Sequence, residues 1–203
     1  MSLRARKKER TRQDILAAAH ELFVRKSYDE TIMEEIARRA ELAVGTLYNY
    51  FPSKGELLLS LIEDSDERYL KEGRQTIAAA ATPAEHVLTD IMVLATAHSV
   101  HQLGKSIWRH VVATTMTNVG SDFGRQYAQT TRKHEQLVVD TMRALQKRGE
   151  IRADVDAADA AHFLFSMKSK LFVNFVSDDA MTLDEHREEV RRGVTYFLRG
   201  LYD

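Results

Sequence analysis

Apolar residues recur at steps of three and four along almost the whole chain, the spacing of helices that each bury one face. The first run, Ile15, Ala18, Ala19, Leu22 and Phe23, predicts a helix over residues 10–26. Further runs predict helices over residues 32–40, 44–51, 54–72, 83–98, 101–117, 122–148, 156–176 and 183–202. No segment shows the two-residue period of a strand, so the sequence predicts an all-α fold of about nine helices.

Four short motifs mark predicted helix starts. Each has Ser or Thr followed three residues later by Glu, the pattern of a capping box in which hydroxyl and carboxylate each bind a free backbone N–H. The four motifs begin at Thr31, Ser53, Thr82 and Thr182. Gly149 follows the long seventh helix, where a glycine in the left-handed conformation is expected to end it.

The composition supports a helical, water-soluble protein. The chain has 203 residues, only two prolines and nine glycines, and no cysteine. The lack of cysteine excludes disulfides, a thiolate zinc site and a cysteine nucleophile, and it suits a cytoplasmic location. Because no apolar run reaches the ~20 residues of a membrane span and no secretory signal is visible, we expect no membrane association.

The charge of the chain is unevenly distributed. The net charge is -1, yet residues 1–12 hold six Lys or Arg against the single acidic residue Glu9. This basic segment adjoins the most unusual part of the sequence, described next. It is either an arm that contacts a polyanion or a solvated, disordered terminus, and the residues alone leave both open.

Residues 31–54 are predicted to form two short helices joined by a tight turn. The second helix, with the sequence AVGTLYNYF, carries aromatic, hydroxyl and amide side chains within three turns. So short a helix is marginal by itself and cannot bury all of these groups. The groove of duplex DNA is the surface that best accounts for them, since the second helix of a helix-turn-helix enters the major groove.

The segment from Ile15 to Leu58 resembles the N-terminal domain of the TetR (tetracycline repressor-like) family of bacterial transcription regulators, most specifically in the run TLYNYFPSK. The resemblance implies that base-facing and phosphate-facing residues lie on and beside the second short helix. Residues implied to face bases are Val44, Gly45 and Tyr48, and those implied to face phosphates are Thr31, Thr46, Asn49, Tyr50 and Lys54.

Three residues depart from the family pattern. Glu41 stands where the turn usually has glycine, and a left-handed backbone there would cost Glu roughly 1 kcal/mol. Ala43 stands where a capping serine is frequent, and Ile32 replaces a second hydroxyl residue. These departures are expected to weaken DNA binding or to change the preferred operator, and they do not affect the fold prediction.

The resemblance also implies a division of labour. Residues 1–55 are predicted to be the DNA-binding domain, and residues 56–203 a domain that binds an unidentified small-molecule effector and forms a homodimer. Helical spacing and polarity select candidate effector contacts at His98, Trp108, Val112, Met116, Phe123, Tyr127 and Phe172. Candidate dimer contacts are Ala160, Leu164, Met167, Leu171, Val190, Val194, Phe197 and Leu201. For each residue in both sets, packing within the core of one chain is the alternative interpretation.

The sequence therefore predicts a ligand-responsive repressor that releases a palindromic double-stranded DNA operator when its effector binds. No cofactor or metal is expected, because the eight histidines lack the spacing of a metal site. Nor is an enzyme, since no P-loop, GxSxG, HExxH or dinucleotide motif occurs. The alternative is a helical ligand-binding or protein-interaction module that no longer binds DNA.

Overall fold

The structure, a computed structural model, describes residues 2–78, 82–118 and 120–200, and within these ranges it contains eight α-helices and no strand. The predicted all-α fold is confirmed. The helices are α1 (Leu3–Lys26), α2 (Met33–Arg39), α3 (Val44–Tyr50), α4 (Lys54–Ala78), α5 (Ala84–Thr117), α6 (Asp122–Lys147), α7 (Ala157–Ser177) and α8 (Leu183–Leu198).

Helix α5 replaces two of the predicted helices. A break was expected between residues 98 and 101, but the helix continues there and bends at Gly104, whose φ of 73° and ψ of 163° lie in a region open almost only to glycine. Across the bend, the Trp108 indole N–H donates to the Ser99 carbonyl at 2.7 Å. This hydrogen bond supplies a donor to the Ser99 carbonyl, which lies just before the bend in the helix.

The predicted helix starts fall into two groups. The capping box at Thr182 is confirmed, because Thr182 and Glu185 exchange both hydrogen bonds. At the second motif, Ser53 Oγ accepts from the backbone N–H of Glu56 at 3.2 Å. Gly149 has the expected left-handed φ of 73° just after α6.

The other two capping boxes are wrong. Thr31 is fully buried and its hydroxyl donates to the Ser27 carbonyl, so Ile32 becomes the N-cap of α2 and no side chain caps that helix. At the start of α5, the Glu85 carboxylate accepts hydrogen bonds from Arg191 and Thr195 of α8 instead of from its own helix end. In both places a tertiary contact replaces the local one.

The buried core is continuous from the first helices into the last. In the largest cluster, Phe23, Ile36 and Leu47 of α1–α3 join residues of α4, α5 and α7, such as Ile107 and Phe175. A second cluster lies between α5, α6, α7 and α8. The predicted boundary at residues 55 and 56 lies at the start of α4, and the division into two domains stays a prediction.

The second cluster corrects part of the predicted dimer interface. Ala160, Leu164, Val190 and Val194 are at most 6% exposed and pack inside this cluster, so they belong to the core of one chain. Met167, Leu171 and Phe197 are partly buried at its edge. Leu201 lies outside the described residues.

Within the described ranges, none of the helices combines the length and apolar character needed to cross a bilayer.

Candidate functional site

Helix α3 divides its side chains between the core and the solvent. Leu47 is completely buried, and Phe51, at the end of the helix, is 4% exposed. Because these two residues are four apart, they anchor one face of the helix. The opposite side is open: Val44, Gly45, Tyr48 and Asn49 are exposed, and Thr46 and Tyr50 are partly exposed. The structure thus brings six of the eight predicted DNA-contact residues onto one accessible helix.

The turn before α3 has the geometry that its sequence predicts. Glu41 has a φ of 56°, in the left-handed region, as the resemblance led us to expect for this turn. Ala43 is the N-cap of α3 and offers no side-chain hydrogen bond. The backbone N–H groups at this end of α3 therefore lack a capping side chain of their own. Free N–H groups at a helix start are suited to binding anions.

Gly45 stands out on α3 because nothing in the protein requires its missing side chain. A Cβ placed there would meet no atom within 4 Å. Glycine within a helix costs up to about 1 kcal/mol relative to alanine. A reason for glycine at this position must therefore come from outside the chain, such as a surface that approaches the backbone closely.

Two of the predicted phosphate contacts are used inside the protein. The Thr31 side chain is fully buried. The Lys54 ammonium donates to the carbonyls of Tyr28 at 2.7 Å and Thr31 at 2.8 Å, and it lies 4.3 Å from the centre of the Tyr28 ring. Burial lowers the pKa of Lys54. Both residues hold the loop before α2 against the start of α4. The prediction of direct contact is wrong for the fully buried Thr31 side chain, whereas for the half-buried Lys54 it stays a prediction.

The basic N-terminal segment is helical. Ser2 caps α1, which begins seven residues earlier than the predicted start at residue 10, and residues 2–10 are exposed. The Arg12 guanidinium lies 5.7 Å from the centre of the Phe51 ring, at the end of α3. The basic part of α1 is thus an ordered projection beside α3.

A cavity of about 180 Å³ lies between α4, α5, α6 and α7. Five of the seven predicted effector contacts line it: Trp108, Val112, Met116, Tyr127 and Phe172. The other two lie elsewhere. His98 donates to the Glu72 carboxylate at 2.9 Å outside the cavity, and Phe123 packs near Gly55 at the start of α4. The remaining lining residues are Asp66, Ser99, Thr115, Thr130, Thr131, His134, Phe165, Lys168, Ser169 and Val173.

A buried hydrogen-bonded pair forms the polar end of this cavity. His134 Nε2 donates to Asp66 Oδ1 at 2.9 Å, and the two residues are 8% and 7% exposed. Burial lowers the pKa of His134, although the Asp66 charge opposes this shift. The second oxygen of the carboxylate, Asp66 Oδ2, is buried and has no hydrogen-bond partner among the described residues. An unpaired buried carboxylate oxygen is costly, so it indicates a place for a donor.

Lys168 brings a cation to the same cavity. Its ammonium lies 5.3 Å from the centre of the Phe172 ring and 5.6 Å from that of Phe165. In the described part of the chain it makes no ion pair and no hydrogen bond. Burial lowers its pKa to about 8, while the Asp66 charge opposes this shift.

Sequence reasoning missed the polar end of the cavity, although one signal was present. Asp66 and His134 lie on the buried faces of α4 and α6, beside Tyr69 and Leu137. Charged or titratable residues on an apolar stripe are uncommon and indicate a buried partner. That partner is 68 residues away along the chain, and no local pattern could identify it.

The second half of α5 connects the cavity with the helix-turn-helix region. Trp108 and Val112 line the cavity. Between them, the His110 ring lies 4.2 Å from the centre of the Tyr28 ring, and His110 Nδ1 lies 3.4 Å from the Asp29 carboxylate. Tyr28 and Asp29 belong to the loop that Lys54 holds. A shift of this half-helix would therefore be felt by the loop before α2.

The outward surface of α7 and α8 carries two exposed aromatic side chains. Phe163 is 68% exposed and Tyr196 is 70% exposed. The two helices approach closely where Met167 packs against Gly193. Because the chain reverses direction between α7 and α8, Phe163 and Tyr196 both lie toward the same end of this contact.

Comparison with known proteins agrees with this geometry. The model of the family described as bacterial regulatory proteins, tetR family, matches residues 15–61. The chain is 26% identical over 174 residues to the HTH-type transcriptional regulator UidR of Escherichia coli K12. This alignment covers 83% of each chain.

Two solved structures share the fold. A TetR-family transcriptional regulator from Mesorhizobium loti has a TM-score of 0.75 at 21% identity, covering 96% of this chain and 98% of that one. The repressor FadR of Thermus thermophilus, solved in complex with lauroyl-CoA, has a TM-score of 0.71 at 20% identity and covers 95% of each chain.

Proposed function

We propose that this chain, which belongs to the tetR family of bacterial regulatory proteins, is a ligand-responsive transcription repressor whose α3 helix binds operator DNA. The observation that carries the proposal is the division of α3, with Leu47 buried and Tyr48 beside it 43% exposed. One face fixes the helix to the protein, and the other presents polar and aromatic groups to a partner. An exposed tyrosine on a firmly anchored helix suits a surface that is partly apolar and partly wet.

The proposed contacts follow from the positions on α3. Val44, Gly45 and Tyr48 would face base edges in the major groove, and Gly45 would let the backbone come close. Thr46, Asn49 and Tyr50 would donate to phosphate oxygens, which set orientation without reading sequence. Lys54 and Thr31 support these contacts indirectly, by holding the loop beside α3.

The basic start of α1 would add sequence-independent affinity. Its six Lys and Arg side chains lie within residues 1–12, on an exposed helix that reaches α3 through the Arg12–Phe51 contact. Each phosphate that such a cation neutralises releases a counterion from the DNA, which favours binding and makes it dependent on salt.

A small molecule in the cavity between α4 and α7 would act as the effector. Release from DNA requires that it bind more tightly to a conformation unfit for the operator than to the DNA-bound one. The second half of α5 supports such a link, since it lines the cavity and also contacts Tyr28 and Asp29. Lauroyl-CoA, which Thermus thermophilus FadR binds, would need a much larger cavity than the 180 Å³ seen here.

A homodimer would present two copies of α3. We assign its interface to the outward surface of α7 and α8 around Phe163 and Tyr196, because large apolar groups this exposed commonly mark a contact surface. Two recognition helices separated by about 34–36 Å can read half-sites one helical turn apart. A palindromic operator would follow from this symmetry.

The affinity for DNA as a function of salt tests the proposal. The probe is a duplex covering the region upstream of the protein's own gene, measured by fluorescence anisotropy against unrelated DNA of equal length. Replacing Lys7 and Lys8 with Ala should lower the salt slope by about one per lysine that contacts a phosphate. Replacing Lys147, exposed at the end of α6, should leave the slope unchanged.

Two results would contradict the proposal. One is equal affinity for the upstream and unrelated duplexes. The other is an equal salt slope for the wild type and the Lys7/Lys8 variant. Either result would instead favour a helical module that binds a ligand or a protein and does not regulate transcription through DNA.

A further inference from the structure

We propose that the cavity between α4 and α7 recognises a small aromatic acid that carries a hydroxyl group, with the acid facing Lys168 and the hydroxyl facing Asp66. This inference rests on the proposed function only where it calls the ligand an effector. The ligand class itself rests on the two unpaired polar groups that line one cavity and on the rings that form its walls.

The volume of the cavity and its aromatic lining indicate that the ligand contains a single aromatic ring. Apolar cavities of about 150 Å³ accept a benzene ring, so the 180 Å³ found here accommodate roughly one ring with its substituents. Trp108, Tyr127, Phe165 and Phe172 surround this space. Trp108 and Phe172 meet edge to face, with ring centres 5.3 Å apart. A flat ring gains most from walls of this kind.

Lys168 selects an acid. Its ammonium has three N–H donors, and in the described part of the chain no carboxylate pairs with it. The nearby Phe165 and Phe172 rings attract the charge but offer no hydrogen-bond acceptor. A carboxylate on the ligand would supply both the opposite charge and two acceptor oxygens, and charge-assisted hydrogen bonds are the strong ones.

Asp66 selects a donor at a different point of the ligand. Its Oδ1 already accepts from His134, while Oδ2 is buried and finds no partner in the part of the chain that the structure describes. A hydroxyl group would donate to Oδ2, whereas a second acid group there would be repelled. Because His134 has a lowered pKa from burial, its neutral form leaves the carboxylate charge in place. The cavity therefore distinguishes the two ends of the ligand.

The other titratable groups near Lys168 do not change their charge in the pH range just above neutral. Asp66 comes from α4, Tyr127 and His134 from α6, and His186 from α8, while the cavity lining from α5 holds no titratable side chain. Burial lowers the pKa of both histidines and raises that of Tyr127. Above neutral pH, Lys168 is therefore the group whose charge changes, around its pKa of about 8.

Three matched probes test the ligand class on the full-length protein: 4-hydroxybenzoate, 4-hydroxybenzamide without the acid, and benzoate without the hydroxyl. Calorimetry gives each Kd, and Trp108, the only tryptophan, reports binding inside the cavity by its fluorescence. We expect 4-hydroxybenzoate to bind at least about tenfold more tightly than the amide, and more tightly than benzoate. Equal binding of acid and amide, or no binding of any probe at millimolar concentration, would overturn the proposal.

Two lysines on α7 provide the matched variants. Lys168→Met should remove the preference for acid over amide, and Lys168→Arg should keep most of it. Lys170→Met, a change at an exposed position on the same helix, should leave it intact. A preference that survives in Lys168→Met, with circular dichroism showing a folded protein, would contradict the role of Lys168.

The pH dependence gives a second readout. Benzoate stays ionised above neutral pH, so its Kd should be constant up to about pH 8 and weaken by about tenfold per pH unit well above it. Benzamide, which carries neither an acid nor a phenol and does not titrate in this range, should show no such loss, and an equal loss for benzoate and benzamide would count against the acid site. If 4-hydroxybenzoate binds as described but leaves DNA affinity unchanged, the ligand class stands and the proposed regulatory function fails.

Discussion

The helix-turn-helix region (α1–α3) and the C-terminal bundle (α4–α8) differ in the exposure of their candidate contact residues and in the type of residue that adopts a positive φ. On α3 the candidate contact groups face solvent, whereas in the bundle five of the seven line a cavity between helices. The non-glycine residues with positive φ among the described residues, Ser27 and Glu41, lie in the first region. The described positive-φ residues of the bundle are glycines: Gly104, Gly120 and Gly149.

Because of this difference, mutations can separate binding from folding stability in one region but not in the other. A side chain on the open face of α3 can be removed without disturbing the core, so DNA binding and folding are separable there. In the bundle, the same residues line the cavity and join helices, as Asp66 and His134 do between α4 and α6. Changes at the cavity should therefore alter stability and ligand binding together.

The largest contrast is expected between two neighbours on α3. Leu47→Ala empties a completely buried position and should cost about 2–5 kcal/mol of unfolding free energy. Tyr48→Ala should change stability by less than about 0.5 kcal/mol but weaken DNA binding by about 1–3 kcal/mol. Urea unfolding and DNA anisotropy on both variants measure this. Similar losses of stability for the two would break the comparison.

The next largest effect is expected in the bundle, where the free energy of unfolding should depend on pH through His186. His186 is fully buried, lies 3.0 Å from the Thr96 hydroxyl, and burial lowers its pKa to about 4. Between the ordinary histidine value and pH 4, the unfolded chain binds a proton that the folded chain does not. Stability should therefore fall as pH falls, by up to about 1.4 kcal/mol per pH unit from this residue.

His186→Gln should remove the contribution of His186 to the slope of unfolding free energy against pH, and the glutamine can still form a hydrogen bond with Thr96. His134, whose pKa burial also lowers, contributes in the same direction and should keep a residual slope. Unfolding free energies at several pH values between 7 and 4 provide the measurement. A variant with an unchanged pH profile would show that His186 takes a proton as easily in the folded chain as in the unfolded one.

Backbone changes should have opposite signs in the two regions. Gly104→Ala holds alanine at a φ of 73° and a ψ of 163°, which L side chains rarely adopt, and should cost about 1–3 kcal/mol. Ser27→Gly relieves a φ of 92° at the end of α1, and it should stabilise the protein by about 1 kcal/mol once the greater freedom of glycine in the unfolded chain is counted. Thermal unfolding of both variants tests the signs. A stabilising Gly104→Ala would mean that α5 straightens without cost.

The last prediction concerns Gly45, where a small gain in stability should accompany a loss of DNA affinity. Gly45→Ala meets open space and should raise stability by at most about 1 kcal/mol through helix propensity. DNA affinity should nevertheless fall, because the new methyl group lies where the duplex would approach. A variant that is more stable and binds DNA as well as the wild type would show that Gly45 does not face the groove.

Local patterns predicted the helix-turn-helix region well. The bounds of α2 and α3 agree with the expectation to within one residue at each end, and Glu41 has the left-handed backbone that was expected of this turn. These features depend on a few consecutive residues and on the pattern of Leu47 and Phe51. The exposed side of α3 follows directly from that pattern.

Tertiary contacts account for what the sequence did not predict. Thr31 and Glu85 have the spacing of capping residues, yet contacts with Ser27 and with α8 take their polar atoms. Ala160 and Val194 show a helical stripe, but a stripe does not say whether it faces its own chain or a second one. Such questions depend on which helices become neighbours, and helix periodicity does not contain that information.

Footprinting on the DNA upstream of the protein's own gene tests the central claim that the open face of α3 binds duplex DNA. The wild type should protect two half-sites whose centres are about one helical turn, or a whole number of turns, apart. The folded Tyr48→Ala variant should protect neither at the same concentration. No protected site with the wild type, or equal protection by the variant, would contradict the account.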